Sequence, residues 1–592
     1  MTRSPLGALL LLSIVSCGVR SLGAPSPRVT ARARLLRIED TRRDEPSYVD
    51  SLLADPDAIV RGLAALTAGR IGGIEHAPRL RLLAADADTG VAASALFSLG
   101  LLKDTASVTV ASVSLRGPMA PAREAAWLLG EVGDRGRSAI EAGLLDESIS
   151  PSSRGALLLA ATRLRPVPAS AIVPWLTSPD SALAWRAAYA LARGRGTSGV
   201  RALLAQSNSQ WPAVREQVAR GASRGLAGDS LAPLAEQVVG SLVRDASAHV
   251  RVNAVRSLAT YGPSTRSAMF AALADPDINV RVSAAQSLEP VVASDSNAWY
   301  TAFDGDTTFI VRRSLAEAAI KRGIDLPARA RWGLSTDWQH RAVAAEVSGA
   351  GNAAAAMRRA SAWLGDPDGR VRAVAVDALT PLADSAATRD DVRTQLRAAL
   401  ADTDVAVRAN SMAALRRGAS AADLAAALQS YHRFIGDADS DARLAFWRLA
   451  DSAIVRTGGA LPDSMRRELA ALPRPLDPIE RAVASAIPQF AAWRDGTSPS
   501  QPLLWYEQRA AEASARAPIL RIETERGPME LELHASDAPL TVYNVVTLAR
   551  RGYFDGQRFH RVVPNFVVQA GDPRGDGNGG PGYAIRDEIN RH

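Results

Sequence analysis

An Asp-Pro-Asp turn, a Val-Arg pair and an Ala/Leu-rich stretch recur in that order along most of this 592-residue chain. Clear copies are Asp55-Pro56-Asp57 with Val60-Arg61, Asp275-Pro276-Asp277 with Val280-Arg281, Asp366-Pro367-Asp368 with Val371-Arg372, and Asp402-Thr403-Asp404 with Val407-Arg408. Weaker copies centre on Arg123, Arg154, Arg186, Arg215, Arg251, Arg312, Arg341 and Arg443, and from Arg123 onward successive anchors lie 29 to 36 residues apart. Arg61 and Arg123 are 62 apart, twice 31, and a degenerate copy at Asp86-Ala87-Asp88 fills the gap. A sustained period near thirty, with two helices per unit, is a solenoid signature, because each unit can bury its apolar face only on the next. The expected fold class is therefore an all-α superhelical solenoid over 35–457.

Within one unit, Asp55 is expected to cap a helix, Pro56 to sit at its first position, and Asp57 to face the positive end of the helix dipole. Leu63, Ala64, Leu66 and Ala68 then give the apolar face. The pattern resembles HEAT repeats, including the short bacterial variety. That resemblance implies an internal ladder in which each anchor arginine reaches an Asp of an adjacent turn, a structural role. Gly221-Ala222-Ser223-Arg224-Gly225 fits a nucleophile elbow, but an elbow needs a strand before it, and this one falls inside or at the end of a repeat helix.

The chain opens with Arg3 and a ten-residue apolar run, Leu6 to Val15, too short for a membrane span of roughly 20 residues. It ends in Ile14-Val15-Ser16-Cys17, which resembles the lipobox of bacterial lipoproteins and implies lipid attachment at Cys17, the single cysteine. Residues 1–17 are thus read as a lipoprotein signal and 18–34 as a linker. The expected location is the bacterial envelope, facing the periplasm, with the outer membrane favoured because Gly18 follows the cysteine. The net charge of +7 comes almost entirely from scattered arginines, with Lys103 and Lys321 the only lysines. No basic stripe interleaved with aromatics is present, so no nucleic-acid partner is expected. No metal-ligand spacing and no cofactor motif is read.

Residues 458–517 read as a helical extension and linker, with a turn-rich joint at 496–502 and a helix over 503–515. From Pro518 the period changes. Leu520 and Ile522 alternate with Arg521 and Glu523, and Met529, Leu531 and Leu533 with Glu530 and Glu532, around a turn at Arg526-Gly527-Pro528. A helix over 539–551 and strands over 558–563 and 566–570 complete the segment.

The run Phe559-His560-Arg561-Val562-Val563-Pro564-Asn565-Phe566-Val567-Val568-Gln569-Ala570-Gly571-Asp572 resembles the signature of cyclophilin-type peptidyl-prolyl isomerases. Gly552-Tyr553-Phe554-Asp555-Gly556, the glycine-rich loop from Gly575 to Tyr583, and Asp587-Glu588 agree with it. The resemblance implies that 518–592 is the N-terminal half of a cyclophilin domain, a partial all-β barrel. It implies that Arg561 donates to the prolyl nitrogen, Gln569 holds the substrate backbone, and Phe566 floors the proline pocket. Phe559 and Val567 are placed with the substrate-binding residues; Val567 stands where the family usually has Met. His560 is given a structural role. The reaction itself needs no covalent step: rotation about X-Pro faces a barrier of about 20 kcal/mol from amide resonance, and a catalyst must favour the twisted amide.

The chain stops at Asn590-Arg591-His592, before the family's later strands, its Ala-Asn clamp and its distal Phe, Trp and His. Little or no isomerase activity is therefore expected of this chain, and it is expected to be a shortened copy of a longer protein. The expected partners are proline-containing clients, other proteins along the solenoid, and a membrane through the lipid anchor. The alternative reading is a non-catalytic binding scaffold with a vestigial cyclophilin segment.

Overall fold

The computed structural model describes residues 26–591 except 195–196, 198, 291–295, 323, 325, 327, 437–439, 495–499, 515–516 and 564–566. Short helices pair and stack from Pro27 to Ala484, followed by a helix over Leu503–Ala513. The solenoid core is a column of Ala, Leu and Val in which each repeat's second helix contacts that of the next, as Ala58–Ile71 does Thr89–Leu101, and that in turn Met119–Glu131. Small residues set the spacing. A Cβ on Gly69 would lie 2.7 Å from the Ser98 Cα, so only glycine permits this approach, which Ser98 Oγ seals by donating to the Ala65 carbonyl at 2.7 Å.

The paired aspartates divide their work differently from the expectation. The helix begins at Ala58, and its cap is Asp57, whose Oδ1 accepts from the Ile59 N–H at 2.9 Å. Asp55 instead accepts from the Asp57 N–H at 2.8 Å, closing an Asx turn that leaves Pro56 outside the helix. The same pair recurs at Asp275/Asp277, Asp366/Asp368 and Asp402/Asp404. The first Asp is thereby aimed at the neighbouring repeat. Arg61 forks onto Asp86 at 2.9 and 3.1 Å while its third nitrogen donates to the Asp55 carbonyl at 2.9 Å. Arg215–Asp245, Arg251–Asp275, Arg341–Asp366 and Arg372–Asp402 repeat this fork, and Arg281 reaches Asp306 and Thr308.

The ladder does not extend to every anchor. Arg154 donates to the Asp146 carbonyl and stacks over Trp175, Arg408 lies over Phe434, and Arg443 pairs with Glu480. The elbow-like Gly221–Gly225 stretch covers the end of the helix Pro212–Gly221 and the start of the next at Arg224, with no strand before it.

Of the linker expected over 18–34, residues 18–25 lie outside the described residues, and the rest needs correction. Ser26 and Pro27 start a helix that runs to Thr41, and it packs along Leu503–Ala513 through Ala33, Leu36, Tyr506 and Ala510. Tyr506 donates to Asp40 Oδ2 at 2.6 Å. The last helix before the β segment therefore lies against the first helix of the solenoid. Among the described residues no helix is long and apolar enough to cross a membrane.

Candidate functional site

The C-terminal segment contains two antiparallel hairpins and a helix. β1 (Ile519–Ile522) pairs with β2 (Met529–Glu532), a helix spans Pro539–Arg550, and β3 (Arg561–Val563) pairs with β4 (Val567–Gln569). Each hairpin is a separate two-stranded sheet, so the described residues form no closed barrel.

Register places the site residues. Arg561 lies directly opposite Gln569, and Val563 opposite Val567. Side chains alternate faces along a strand, so Arg561, Val563, Val567 and Gln569 share one face while Val562 and Val568 share the other. Arg561 Nη1 donates to Gln569 Oε1 at 3.3 Å. Both side chains are exposed, Val567 is half-buried, and Phe559 is 45% exposed just ahead of β3. Phe566 lies outside the described residues, as does Cys17. His560 is half-buried, and neither ring nitrogen has a hydrogen-bond partner among the described residues. The hairpin thus presents one guanidinium and one amide side by side on one face.

Two carboxylates brace other parts of the C-terminal segment, and the sequence reading assigned neither of them a role. Asp572 accepts from the backbone N–H groups of Arg574 at 2.7 Å and Asp576 at 2.9 Å, and also from Gly577. Burial opposes its ionisation, but those N–H groups outweigh it and hold the carboxyl below its usual range. Glu588 caps the helix Pro539–Arg550, accepting from the Leu540 N–H at 3.1 Å and the Thr541 N–H at 2.7 Å, while burial pushes its carboxyl up. The only sequence hint was the position of Asp572 at the head of a glycine-rich loop and of Glu588 after it.

The segment is docked on the solenoid. Arg32 and Arg70 donate to the Ser536 and Asp537 carbonyls, each at 2.8 Å, Arg70 also reaches the Ile589 carbonyl, and Arg42 pairs with Asp587 at 2.7 Å.

The family model described as cyclophilin type peptidyl-prolyl cis-trans isomerase/CLD matches residues 519–592. A peptidyl-prolyl cis-trans isomerase of Synechococcus elongatus is 52% identical over 69 residues, 12% of this chain and 48% of that protein. One of Helicobacter pylori is 44% identical over 88 residues, 15% of this chain and 53% of that protein. The chain spans about half the length of the curated relatives it matches. Among solved structures, the karyopherin Kap121p bound to the SUMO protease Ulp1p is similar with a TM-score of 0.41 and 11% identity, covering 75% of this chain and 59% of that one.

Proposed function

We propose that this protein is a cyclophilin-type peptidyl-prolyl cis-trans isomerase whose solenoid is a scaffold for proline-containing client proteins. One observation carries the reading: Arg561 and Gln569 form a hydrogen-bonded cross-strand pair inside the segment that matches the isomerase family. When an X-Pro bond twists, its nitrogen leaves resonance and its lone pair becomes localised. A guanidinium N–H aimed there stabilises the twisted amide over the planar one, which is the differential binding that catalysis requires. The amide of Gln569 can hold the neighbouring backbone so that the ring turns and the chain does not. Phe566, Phe559 and Val567 are proposed as the walls of the proline pocket.

The test is isomerisation of a proline-containing peptide by a protein carrying the complete barrel, parent against Arg561→Ala. A fall of roughly 10²–10³-fold, the scale for losing one transition-state donor, supports the reading; equal rates overturn it.

Lipid attachment at Cys17, envelope location and envelope clients belong to the same proposal and are tested separately. Labelled fatty acid should enter the parent and not Cys17→Ala. A second reading, a scaffold that binds proline segments without turning them over, is favoured by the open hairpins, on which Val562 and Val568 are each 60% exposed. Client capture that survives Arg561→Ala with no loss of phenotype would select it.

A further inference from the structure

We propose that Asp44, Glu75 and His76 bind a divalent transition-metal ion, of which Zn²⁺ best suits the donors. Asp44 lies in the turn between the helices Pro27–Thr41 and Pro46–Leu52, and Glu75 and His76 in the single turn Ile74–His76 of the next repeat. One ligand atom from each falls within 4.8 Å of the others.

The imidazole is set as a metal ligand would be. His76 is 1% exposed, and a Cβ on Gly73 would come within 2.6 Å of its Cδ2 and 3.2 Å of its Nε2, so only a glycine backbone fits along that edge of the ring. Nδ1 lies 2.8 Å from Asp50 Oδ1, and Asp50 is itself held by Arg79 at 3.1 Å. That is the carboxylate–histidine arrangement that fixes the tautomer of a ligating imidazole. In the tautomer whose N–H faces Asp50, the Nε2 lone pair points toward Asp44 Oδ2, 3.3 Å away. Two electron-rich atoms at that separation need a positive centre between them. Donors about 2.0–2.2 Å from a tetrahedral ion stand roughly 3.3–3.5 Å apart, so the gap matches a shared ion.

The remaining atoms agree. Asp44 Oδ1 is buried and meets no donor among the described residues. Glu75 is exposed, and its carboxylate already lies within 4.8 Å of the other two donors as the third ligand, leaving a fourth position for water. Calcium or magnesium would demand about six oxygens, whereas one nitrogen and two carboxylates suit zinc. Bound there, the ion would clip the first repeat's turn to the second's. Arg42 and Arg70, which hold the C-terminal segment, lie within a few residues of its ligands.

The test is calorimetric titration of the chelator-treated full chain with Zn²⁺, for the parent, Glu75→Gln and His76→Gln, with circular dichroism as the fold control. Expected are a parent site filled one ion per chain, an affinity at least about tenfold weaker in Glu75→Gln, and no such site in His76→Gln. Cobalt(II) in the parent should show the intense visible bands of a tetrahedral site. No parent binding, or a site unchanged by Glu75→Gln, overturns the proposal; a proton on His76 then bridges Asp44 and Asp50. Because Glu75 is exposed, its variant carries the test even if His76→Gln does not fold.

Discussion

Arg574 donates from Nη1 to Asp404 Oδ2 at 2.6 Å, joining the glycine-rich loop to the turn of a late repeat 170 positions earlier in the chain. The Arg574 carbonyl accepts in return from Arg370 Nη1 at 2.6 Å. At the other end of the segment Arg42 holds Asp587 and Arg70 holds the Ile589 carbonyl. Early and late repeats therefore both grip the C-terminal segment, and its position is set by side chains the solenoid supplies.

Arg574→Ala should release that loop without unfolding the solenoid. A charge-assisted hydrogen bond contributes about 1.5–3 kcal/mol, so backbone amides at 572–577 should exchange with deuterium roughly tenfold faster or more. The urea midpoint of the repeats should stay where it was. Unchanged exchange at 572–577 would mean that the contact does not hold the loop.

The arginine forks should resist even a conservative change. Arg372 spends Nε and Nη2 on Asp402 and Nη1 on the Asp366 carbonyl, a three-way grip that lysine cannot copy. Arg372→Lys is expected to cost about 1–3 kcal/mol, read from denaturant unfolding. The ladder also sets an acid limit. Burial works against ionisation of Asp245, Asp275, Asp306 and Asp402, but hydrogen bonds and arginine charges outweigh it and lower all four below their ordinary value of 3.8. Carboxyls depressed in the folded state stabilise it above about pH 4, and that contribution is lost as pH falls through their folded values. Stability should therefore drop below about pH 4, and a flat profile there would contradict the ladder's role.

Glu346 has the opposite sign. Burial, with the nearby charge of Glu317 adding to it, pushes its carboxyl up to about 7 from 4.5. The folded chain binds this proton more tightly than the unfolded one, so the contribution is complete below about pH 4.5 and disappears as pH rises through about 7. Glu346→Gln should remove that decline and stabilise the protein by about 1–3 kcal/mol at pH 8 while changing little at pH 4. Equal parent and variant stabilities at pH 8 would show that Glu346 stays solvated.

The repeat was legible because the turn and the arginine are local chemistry repeated at a fixed interval. The division of labour between Asp55 and Asp57 was not, since either aspartate can cap and only the helix start at Ala58 decides between them. The helix from Pro27 escaped notice because its partner, Leu503–Ala513, lies far along the chain, and an arginine-rich helix with no clear apolar face looks like a linker without that partner. In the C-terminal segment, hydrophobic alternation located the first hairpin to within a few residues, and the resemblance supplied Arg561 and Gln569 as a pair that β3 and β4 bring into register. Asp44, Glu75 and His76 left no signature, because their proximity comes from stacking one repeat's turn on the next.

Val562 and Val568 face each other across the hairpin on the side away from Arg561, each 60% exposed. A two-stranded ribbon with bare valines and open edges invites pairing with another copy. The double variant Val562→Thr, Val568→Thr keeps β-branched side chains, so the strands should persist, while the apolar face becomes polar. Light scattering at tens of micromolar should show less self-association than the parent. The Arg561–Gln569 pair, on the opposite face, should be undisturbed. Self-association unaltered by the double variant would place the sticky surface elsewhere, on the exposed Ile519, Met529 and Leu531 of the first hairpin.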